Sequence, residues 1–332
     1  MKGEIATIEQ LVALRPAFLD AVRSARRVLI GSHHNPDGDA IGSSLAMYGF
    51  VRQLGIEVDV VNSDPVPDNL RFLPGAKLVR DAAPRKDYDL GIVLDLDAWD
   101  RLGRTRAVFD DIPRIMVIDH HVPHEQPGDL RIVMTGAPAT CAMLADLMLG
   151  SGVPIDHEIA THLLVGILTD TGNFRFPNTT PHSLHLAAQL IEHGANLAQM
   201  AEEVYHRKAL PAVRLLGWAL TNFQTNENAT LAWVAIPQSI FDEFGARDQD
   251  TEGIVNELLS ISTARIAMIL RETPNGRIKG SLRSRGPLNV AEVARQFGGG
   301  GHENAAGVSF TSPLPHAESQ LVEALQTCLA SS

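Results

Sequence analysis

Short apolar runs alternate with segments of helical period along the first half of the chain. The runs have the length and the Val, Ile and Leu content of buried strands. We predict strands at 28–32, 57–61, 90–94, 114–118 and 131–134. We predict the main helices at 8–26, with Thr7 as N-cap, at 40–54 and at 139–149. Alternating strands and helices favour a parallel sheet covered by helices, which is an α/β fold.

The second half of the chain has a different pattern. Residues 180–220 are rich in helical segments, and Pro181 suits the first turn of a helix. Further on, we predict strands at 230–236, 265–271, 277–283 and 306–310 and helices at 254–261, 290–296 and 316–329. Pro274-Asn275-Gly276 is a strong turn signal, so the two central strands should form a hairpin. These segments predict a second, smaller α/β domain.

The length of 332 residues is large for one hydrophobic core, and about two domains are expected. We place the first domain at 1–190, a helical linker at 191–222 and the second domain at 223–332. Two domains joined by such a linker would leave a cleft between them, and small-ligand sites often occupy clefts of this kind.

The composition narrows the class of protein. Hydrophobic residues make up 45% of the chain and charged residues 20%, as is ordinary for a globular protein. The sequence contains neither an apolar run near the roughly 20 residues that cross a bilayer nor the apolar core of a secretory signal. Cys141 and Cys328 are far apart, which disfavours a disulfide framework and a thiolate metal site. We expect a cytoplasmic protein without a membrane partner.

The charge balance restricts the partners. Lys and Arg number 28 and Asp and Glu 39, which gives a net charge of −11. A protein that coats long nucleic acid needs a broad basic surface, so a long duplex is not expected as a partner. A short nucleotide bound locally is compatible with this charge. The sequence leaves open whether the protein is a homodimer.

Aspartate and histidine residues follow four predicted elements. The segment His33-His34-Asn35-Pro36-Asp37-Gly38-Asp39 follows the first strand, and Asp95 and Asp119-His120-His121 follow two others. Asp170 ends a segment whose apolar spacing fits a helix. Open α/β sheets place their sites at the carboxyl ends of strands. Asn-Pro-Asp-Gly alone would also fit a surface turn. Carboxylates gathered from four elements repel unless cations neutralise them, and this indicates a metal centre.

The candidate ligands are two histidines and four aspartates, namely His33, Asp37, Asp39, Asp95, His120 and Asp170. An oxygen-rich set with some imidazole favours Mn²⁺ or Mg²⁺, whereas thiolates would favour Zn²⁺. Six ligands are too many for one ion that keeps positions open for water and substrate, so we expect two ions that share a carboxylate. Such a pair, roughly 3.5–4 Å apart, can activate a water and hold a phosphoryl group. The predicted chemistry is phosphoester hydrolysis.

The order and spacing of these residues resemble the DHH phosphoesterase superfamily. The matching motifs are His33-x-Asn-Pro-Asp37-x-Asp39, Asp95, Asp119-His120-His121 and Asp170-Thr171-Gly172. A later run, 298–307, is similar to the glycine-rich motif of the DHH-associated domain. Within the superfamily, the length and motifs are most similar to the group of bifunctional oligoribonucleases (nano-RNases) and 3′-phosphoadenosine 5′-phosphate (pAp) phosphatases called NrnA.

This resemblance implies an enzyme that hydrolyses short oligoribonucleotides to mononucleotides and removes the 3′-phosphate of pAp. Residues 1–190 would be the metal-binding catalytic domain and 223–332 the substrate-binding domain. Two divalent ions would share Asp95 as a bridging ligand, and Mn²⁺ is expected in preference to Mg²⁺. One ion would also be held by His33 and Asp37, and the other by Asp39, His120 and Asp170.

The resemblance also implies roles near the scissile phosphate. Asp95, His120 and His121 would be catalytic, and His121 would donate a proton or a hydrogen bond toward the phosphate. The candidate substrate-binding residues are Arg101, Arg283, Ser284, Gly299, Gly300, Gly301 and His302. Arginine binds phosphate in bidentate fashion, and glycine backbone N–H groups can approach an anion closely. Phe174 and Phe176 could stack a nucleobase, although aromatic residues after a buried helix more often belong to the core.

Other functions compete with this interpretation. A phosphodiesterase for cyclic or linear dinucleotides, such as c-di-AMP, would have the same motifs. A family II pyrophosphatase differs after residue 280, and a RecJ-like exonuclease would carry further modules. A non-catalytic nucleotide sensor is disfavoured because the ligand set is intact. A hydrolysis panel would distinguish these classes.

Overall fold

The fold is taken from a computed structural model that describes residues 5–122 and 128–330. The chain divides into two compact units, Met1–Arg207 and Lys208–Ser332. The range expected to be a linker, 191–222, contributes to both units, and its last helix packs in the core of the second unit through Leu215 and Ala219.

The first unit alternates strands and helices. Its helices are α1 (Ile8–Ala13), α2 (Arg15–Arg23), α3 (Gly38–Gln53), α4 (Arg106–Asp110), α5 (Thr140–Met148), α6 (His157–Asp170), α7 (Pro181–Glu192) and α8 (Leu197–Ala201). Its strands are β1 (Arg27–Gly31), β2 (Glu57–Val61), β3 (Val79–Arg80), β4 (Leu90–Leu94), β5 (Ile115–Asp119) and β6 (Leu130–Val133). The six strands form one sheet in the order β3-β2-β1-β4-β5-β6, and every pair is parallel. The predicted α/β fold with a parallel sheet is confirmed.

Helices cover both faces of this sheet, which explains why its strands read as continuous apolar runs. All five residues of β4 are buried, as are the last four of β1. The helix predicted at 8–26 is in fact two helices that meet at Leu14. Pro16 lies in the first turn of α2 and has no N–H to continue the α1 hydrogen bonds, so the helix breaks there.

The strand order places a topological switch point between β1 and β4. From β1 the chain passes outward through β2 and β3, and it returns to β4 on the other side of β1. In open α/β sheets this reversal opens a crevice at the carboxyl ends of the two strands. Gly31 pairs with Val93, and Leu94 pairs with Ile118, so β1, β4 and β5 end at the same edge.

The second unit is an α/β sandwich around a mixed sheet. Its helices are α9 (Leu210–Asn222), α10 (Gln238–Phe244), α11 (Ile254–Leu259), α12 (Val290–Gln296) and α13 (Leu314–Ala330). Its strands are β7 (Gln224–Thr225), β8 (Leu231–Ile236), β9 (Ile266–Glu272), β10 (Ile278–Ser284), β11 (Gly300–His302) and β12 (Ala305–Phe310), in the order β11-β12-β10-β9-β8-β7. The predicted hairpin is confirmed as β9 and β10, with Gly276 at φ 75° in its turn.

Alternate residues of β9 point to two different cores. Ile266, Met268 and Leu270 pack with α12 and α13, whereas Ala267 and Ile269 pack with α9, α10 and α11. This period of two is the geometry of a strand with both faces covered. The smaller α/β domain predicted from the sequence is confirmed.

Candidate metal centre

His33 begins the centre two residues beyond the end of β1. The residue is 4% exposed, and its Nδ1 lies 2.9 Å from the carbonyl oxygen of His34. The Asn62 amide holds this loop by donating to the carbonyl of His33 at 3.0 Å and to Oγ of Ser32 at 2.9 Å. Because Nδ1 faces a carbonyl, it carries the proton in the neutral ring and leaves Nε2 free as a ligand atom. That Nε2 lies 3.3 Å from Oδ2 of Asp95.

Asp37 and Asp39 are placed by the start of α3. Asp37 is the N-cap, and its Oδ1 accepts the N–H groups of Asp39 and Ala40 at 3.0 Å each. The same oxygen lies 3.9 Å from Nε2 of His33. Asp39 is in the first turn and fully buried. Helix capping therefore sets the direction of the Asp37 carboxylate, and the first turn of α3 places Asp39.

Asp95 follows β4 with φ 57° and is 1% exposed. A positive φ is unusual for a residue with a side chain and is often found at functional sites. The Asp95 N–H donates to the carbonyl of Ile118 at 3.0 Å, so the residue is still tied to β5. Its Oδ2 faces His33, and its Oδ1 lies 3.5 Å from Nε2 of His120. The left-handed turn thus places one carboxylate between two histidines.

His120 and Asp170 complete the arrangement. Nδ1 of His120 lies 3.2 Å from the carbonyl of Ala137, which again leaves Nε2 as the ligand atom. Nε2 lies 3.2 Å from Oδ2 of Asp170, the last residue of α6, and 3.9 Å from Oδ2 of Asp39. This Nε2 is buried and has no hydrogen bond of normal geometry to any described residue. A buried ring nitrogen that faces carboxylates without bonding to them fits a metal ligand.

All six candidate ligands lie in one centre. Two groups, His33–Asp37–Asp95 and Asp39–His120–Asp170, each bring three ligand atoms within 4.8 Å of one another. A third group of the same size joins Asp95, His120 and His121. The geometry therefore supplies clusters that could bind metal, and the oxygen-rich donor set suits hard divalent cations.

The buried acids of the centre have shifted pKa values because they lie close to one another and to the histidines. Burial, together with the charges of Asp95 and Asp170, holds the pKa of Asp39 well above its usual range. Burial also raises the pKa of Asp170 to about 6, against the opposing effect of His120. Burial alone would raise the pKa of Asp95 too, but the hydrogen bond to His33 and the charges of the histidines hold it below its usual range.

The pKa values of His33 and His120 are also raised, although burial acts on a histidine in the opposite direction. Burial alone would lower the pKa of His33, but the hydrogen bond to Asp95 and the charges of Asp95 and Asp37 raise it to about 9. Burial is likewise outweighed at His120, where Asp170, Asp95 and Asp39 raise the pKa well above its usual value. Protons on the rings thus balance the acids, and a divalent cation would compete with these protons for the same atoms.

Arg101 lies near the first cluster. Its Nη1 donates to Oδ1 of Asp97 at 2.9 Å, and its carbonyl accepts the N–H of His34 at 2.7 Å. Its positive charge opposes protonation of His33. The Arg101 side chain is one-third exposed, so part of the guanidinium faces solvent at the edge of the centre.

The predicted substrate residues of the second unit have different surroundings. Arg283 is half-buried, its Nη1 donates to the carbonyl of Leu282, and no carboxylate among the described residues pairs with it. The Ser284 hydroxyl is buried and donates to the carbonyl of Leu288 at 2.6 Å. It also accepts from the Asn304 amide at 2.8 Å. Among the described residues, Arg283 therefore has no paired acid, whereas Ser284 is bonded within its own unit.

The glycine-rich run forms the edge strand β11, paired with β12, and its residues 300–302 are exposed. A Cβ at Gly299 would lie 2.1 Å from the carbonyl oxygen of Gly307, and one at Gly301 would lie 2.4 Å from that of Ala305. Gly301 has φ 139°. Close packing of two strands thus explains two of the glycines, whereas Gly300 faces open space. The exposed edge also carries His302.

Phe174 and Phe176 differ in exposure. Phe174 packs against the core of the first unit, as is common for an aromatic residue after a buried helix. Phe176 is 47% exposed, and its ring covers Gly172, where a Cβ would lie 2.4 Å from the ring. Phe176 is therefore the more exposed of the two rings.

Three further residues of the centre were not predicted as functional. Asp119 bonds to His121, Asn62 bonds to the His33 loop, and Thr140 bonds to two of the candidate ligands. The signal for Asp119 is its place in the Asp119-His120-His121 motif. Asn62 and Thr140 have no local signal, because their partners are distant in the sequence.

The fold and the centre define an α/β protein with an aspartate–histidine cluster at the switch point of a parallel sheet. Residues 27–167 match the DHH family, N-terminal domain, and residues 228–331 match the DHHA1 domain. The chain belongs to the DHH family, as the sequence motifs predicted. None of the described helices combines the length and apolarity needed to span a membrane.

Similar proteins cover nearly the whole chain. It is 35% identical to the bifunctional oligoribonuclease and PAP phosphatase NrnA of Thermus thermophilus, over 95% of this chain and 96% of that protein. It is 31% identical to the protein of the same name from Bacillus subtilis, over 86% and 90%. An exopolyphosphatase-related protein from Bacteroides fragilis has a similar crystal structure, with a TM-score of 0.88, 28% identity and 96% coverage of both chains.

Proposed function

We propose that this chain is a metal-dependent phosphoesterase that hydrolyses short oligoribonucleotides to mononucleotides and removes the 3′-phosphate of pAp. The relatives from Thermus thermophilus and Bacillus subtilis carry the corresponding name. Two divalent cations would occupy the centre, with Mn²⁺ preferred over Mg²⁺. Among the described residues, neither Cys141 nor Cys328 is in a disulfide, which suits the cytoplasmic location that we also propose.

The position of Asp95 carries this proposal. Its Oδ2 lies 3.3 Å from Nε2 of His33, and its Oδ1 lies 3.5 Å from Nε2 of His120. Asp95 therefore shares one group of ligand atoms with His33 and Asp37 and another with His120 and His121, and His120 also belongs to the group with Asp39 and Asp170. A carboxylate in that position suits a bridge between two cations. We assign His33 and Asp37 to one cation, and the other three ligands, Asp39, His120 and Asp170, to the second.

The side chains around the centre would then prepare the reaction. When bound, the two cations would lower the pKa of a water and neutralise charge on the phosphoryl oxygens. His33 and His120 point Nδ1 at backbone carbonyls, so each offers Nε2 in a fixed direction. His121 is held by Asp119 and would donate a proton or a hydrogen bond to the phosphate or to the leaving oxygen.

Substrate binding would rest on cations and exposed backbone. Arg101 is partly exposed beside the first cluster, and Arg283 is half-buried without a paired acid among the described residues. A half-buried guanidinium without an anion is unfavourable, and a phosphate would satisfy it in bidentate fashion. The exposed edge at Gly300 and His302 would contact phosphate or base. Gly299, Gly301 and Ser284 would support this surface.

A hydrolysis panel tests the function. The purified chain with Mn²⁺ is incubated with pAp, RNA of two to five nucleotides, c-di-AMP and pyrophosphate, and the products are separated by chromatography. We expect mononucleotides from short RNA and AMP from pAp, with the two substrates competing. The Asp95→Asn variant is the control and should be inactive on both. Hydrolysis of pyrophosphate alone, or a preference for c-di-AMP over every linear substrate, would contradict the proposal.

A further inference from the structure

A threonine outside the proposed ligand set bonds to two of its carboxylates. Thr140 is the first residue of α5 and is fully buried. Its backbone N–H donates to Oδ2 of Asp39 at 2.6 Å, and its Oγ1 donates to Oδ1 of Asp95 at 3.1 Å. Asp39 belongs to α3, and Asp95 follows β4. One residue therefore joins acids that come from two separate elements.

The other oxygen of Asp39 is held as well. The N–H of Cys141 donates to Oδ1 of Asp39 at 2.9 Å. Gly166 of α6 passes close to this contact, because a Cβ there would lie 2.5 Å from Oδ1 of Asp39 and 2.3 Å from Sγ of Cys141. The Asp39 carboxylate thus has hydrogen bonds at both oxygens and a helix packed against it. Its orientation is fixed from three sides.

Capping of α5 explains the backbone contacts of Asp39 but not the contact of the Thr140 hydroxyl. The N-cap of α5, Ala139, offers no side-chain hydrogen bond, so Asp39 satisfies the first N–H groups of the helix in its place. Capping requires only the backbone of Thr140. The hydroxyl is not needed for it and is directed at Asp95, whose oxygens face both clusters.

We propose that Thr140 is a positioning residue that fixes Asp39 and Asp95 relative to each other, so that each presents an oxygen to a divalent cation. This inference rests on the proposed function, because it concerns the same metal centre. A carboxylate oxygen has two lone pairs, so the bond from Thr140 leaves one for a cation. Groups that hydrogen-bond to metal ligands typically contribute about 10–100-fold to metal affinity.

The test compares variants that keep or remove the hydroxyl. Thr140→Val is nearly isosteric and lacks the donor, Thr140→Ala lacks it with less volume, and Thr140→Ser retains it. Mn²⁺ binding to the metal-free full-length chain is measured by titration calorimetry, and kcat and KM are measured with a dinucleotide at saturating Mn²⁺. We expect Val and Ala to weaken Mn²⁺ binding about 10–100-fold and to lower kcat more than they change KM. We expect Ser to restore both values.

A matched control is available at Thr105. Thr105 is also buried, but its hydroxyl donates to the carbonyl of Leu102 at 2.9 Å and not to an acid. Thr105→Val should therefore bind Mn²⁺ as the wild type does. Having both Val and Ala at position 140 keeps the test valid if one variant does not fold.

The outcomes separate this inference from the proposed function. If the wild type binds Mn²⁺ and hydrolyses short RNA while Thr140→Val and Thr140→Ala match it, the positioning role is wrong and the function stands. If Thr140→Ser is as defective as Thr140→Val, packing and not the hydroxyl matters, and the role is again wrong. A wild type that neither binds Mn²⁺ nor hydrolyses any substrate would overturn both.

Discussion

Oδ1 of Asp119 lies 2.9 Å from Nδ1 of His121 and also accepts the backbone N–H of that residue at 3.1 Å. Asp119 ends β5 and is 1% exposed, so a buried carboxylate fixes the direction of the imidazole. Burial alone would lower the pKa of His121, but the bond to Asp119 and the charge of Asp95 raise it. In the neutral ring this contact places the proton on Nδ1.

We predict that His121→Asn lowers kcat by about 10²–10⁴, the usual contribution of a proton donor or acceptor, and leaves Mn²⁺ binding nearly unchanged. Asp119→Asn should act in the same direction with a smaller loss, because the ring keeps an acceptor at Oδ1 but loses the charge. Steady-state kinetics with a dinucleotide and calorimetric Mn²⁺ titration measure both. Loss of one Mn²⁺ from His121→Asn would show that His121 is a ligand.

Asp95→Asn should remove hydrolysis of both short RNA and pAp and reduce the Mn²⁺ content below two per chain. Asparagine tolerates the positive φ at this position, so the backbone should be retained. Metal analysis and circular dichroism measure content and fold. Asp100→Asn is the matched control, because Asp100 is an exposed neighbouring acid that pairs with Arg106. Full activity of Asp95→Asn, or one tightly bound zinc in an active wild type, would contradict the bridging assignment.

Much of the first unit could be predicted from the chain because its strands are buried on both faces. The five predicted strands are all present within one or two residues. The missed strand, β3, has two residues and too little apolar content to form a pattern. The break at Leu14 was missed because the apolar period continues across it, although Pro16 removes the N–H that a continuous helix requires.

The candidate ligands could be found because they lie at the ends of elements. His33, Asp95 and His120 come just after strands, where a sheet places its sites, and the other three lie at the start of α3 (Asp37, Asp39) or the end of α6 (Asp170). The residues that hold the ligands in place carry no such signal. Thr140 lies 101 positions from Asp39 in the chain, and Asn62 lies 29 from His33. Their roles depend on tertiary contacts, which no local period or spacing encodes. The same holds for β11, whose glycines resemble a loop until they pair with β12.

Arg283→Ala should raise KM for short RNA about tenfold or more, in line with the loss of a charge-assisted hydrogen bond, while Mn²⁺ content stays at the wild-type level. The reason is that Arg283 lies in the second unit, apart from the candidate ligands in sequence, and no described acid pairs with it. Arg277→Ala, in the exposed turn before β10, is the control and should have wild-type kinetics. Unchanged kinetics in both Arg283→Ala and His302→Ala would mean that this surface does not bind substrate.

The buried His162 should make the metal-free protein less stable in mild acid. Burial lowers the pKa of His162 to about 4, against an opposing bond from its Nε2 to the carbonyl of Pro74 at 2.8 Å. The unfolded chain therefore takes up this proton near pH 6.5 and the folded chain only near pH 4. The stability that His162 provides is complete above pH 6.5 and is lost progressively down to about pH 4, by about 3 kcal/mol.

The comparison uses His162→Gln, which keeps an N–H donor and does not titrate. Urea unfolding with a chelator, between pH 7.5 and 4.5, should show the free energy of unfolding of the wild type falling relative to that of the variant. His193→Gln, at an exposed position, should show no such relative change. A constant difference between wild type and His162→Gln across this range would contradict the buried neutral histidine.

The dependence on substrate length follows from charge. The net charge of −11 gives no general attraction for a long strand, so we expect binding to come from local contacts, for which Arg101 and Arg283 are the proposed cations. We expect each of these cations to bind a single phosphate, so that further nucleotides add repulsion without a matching contact. We therefore predict that kcat/KM is highest for RNA of two to about five nucleotides and falls steadily as the chain lengthens, since a local site binds only a small ligand well.

The measurement is a length series from 2-mers to 20-mers at two salt concentrations. Repulsion of long strands should be screened by salt, so the preference for short RNA should be larger at low ionic strength. A charge-matched series of DNA is the control for backbone repulsion alone. Processive degradation of 20-mers at the rate of dimers would contradict the oligoribonuclease assignment, because the acidic surface would then not limit access.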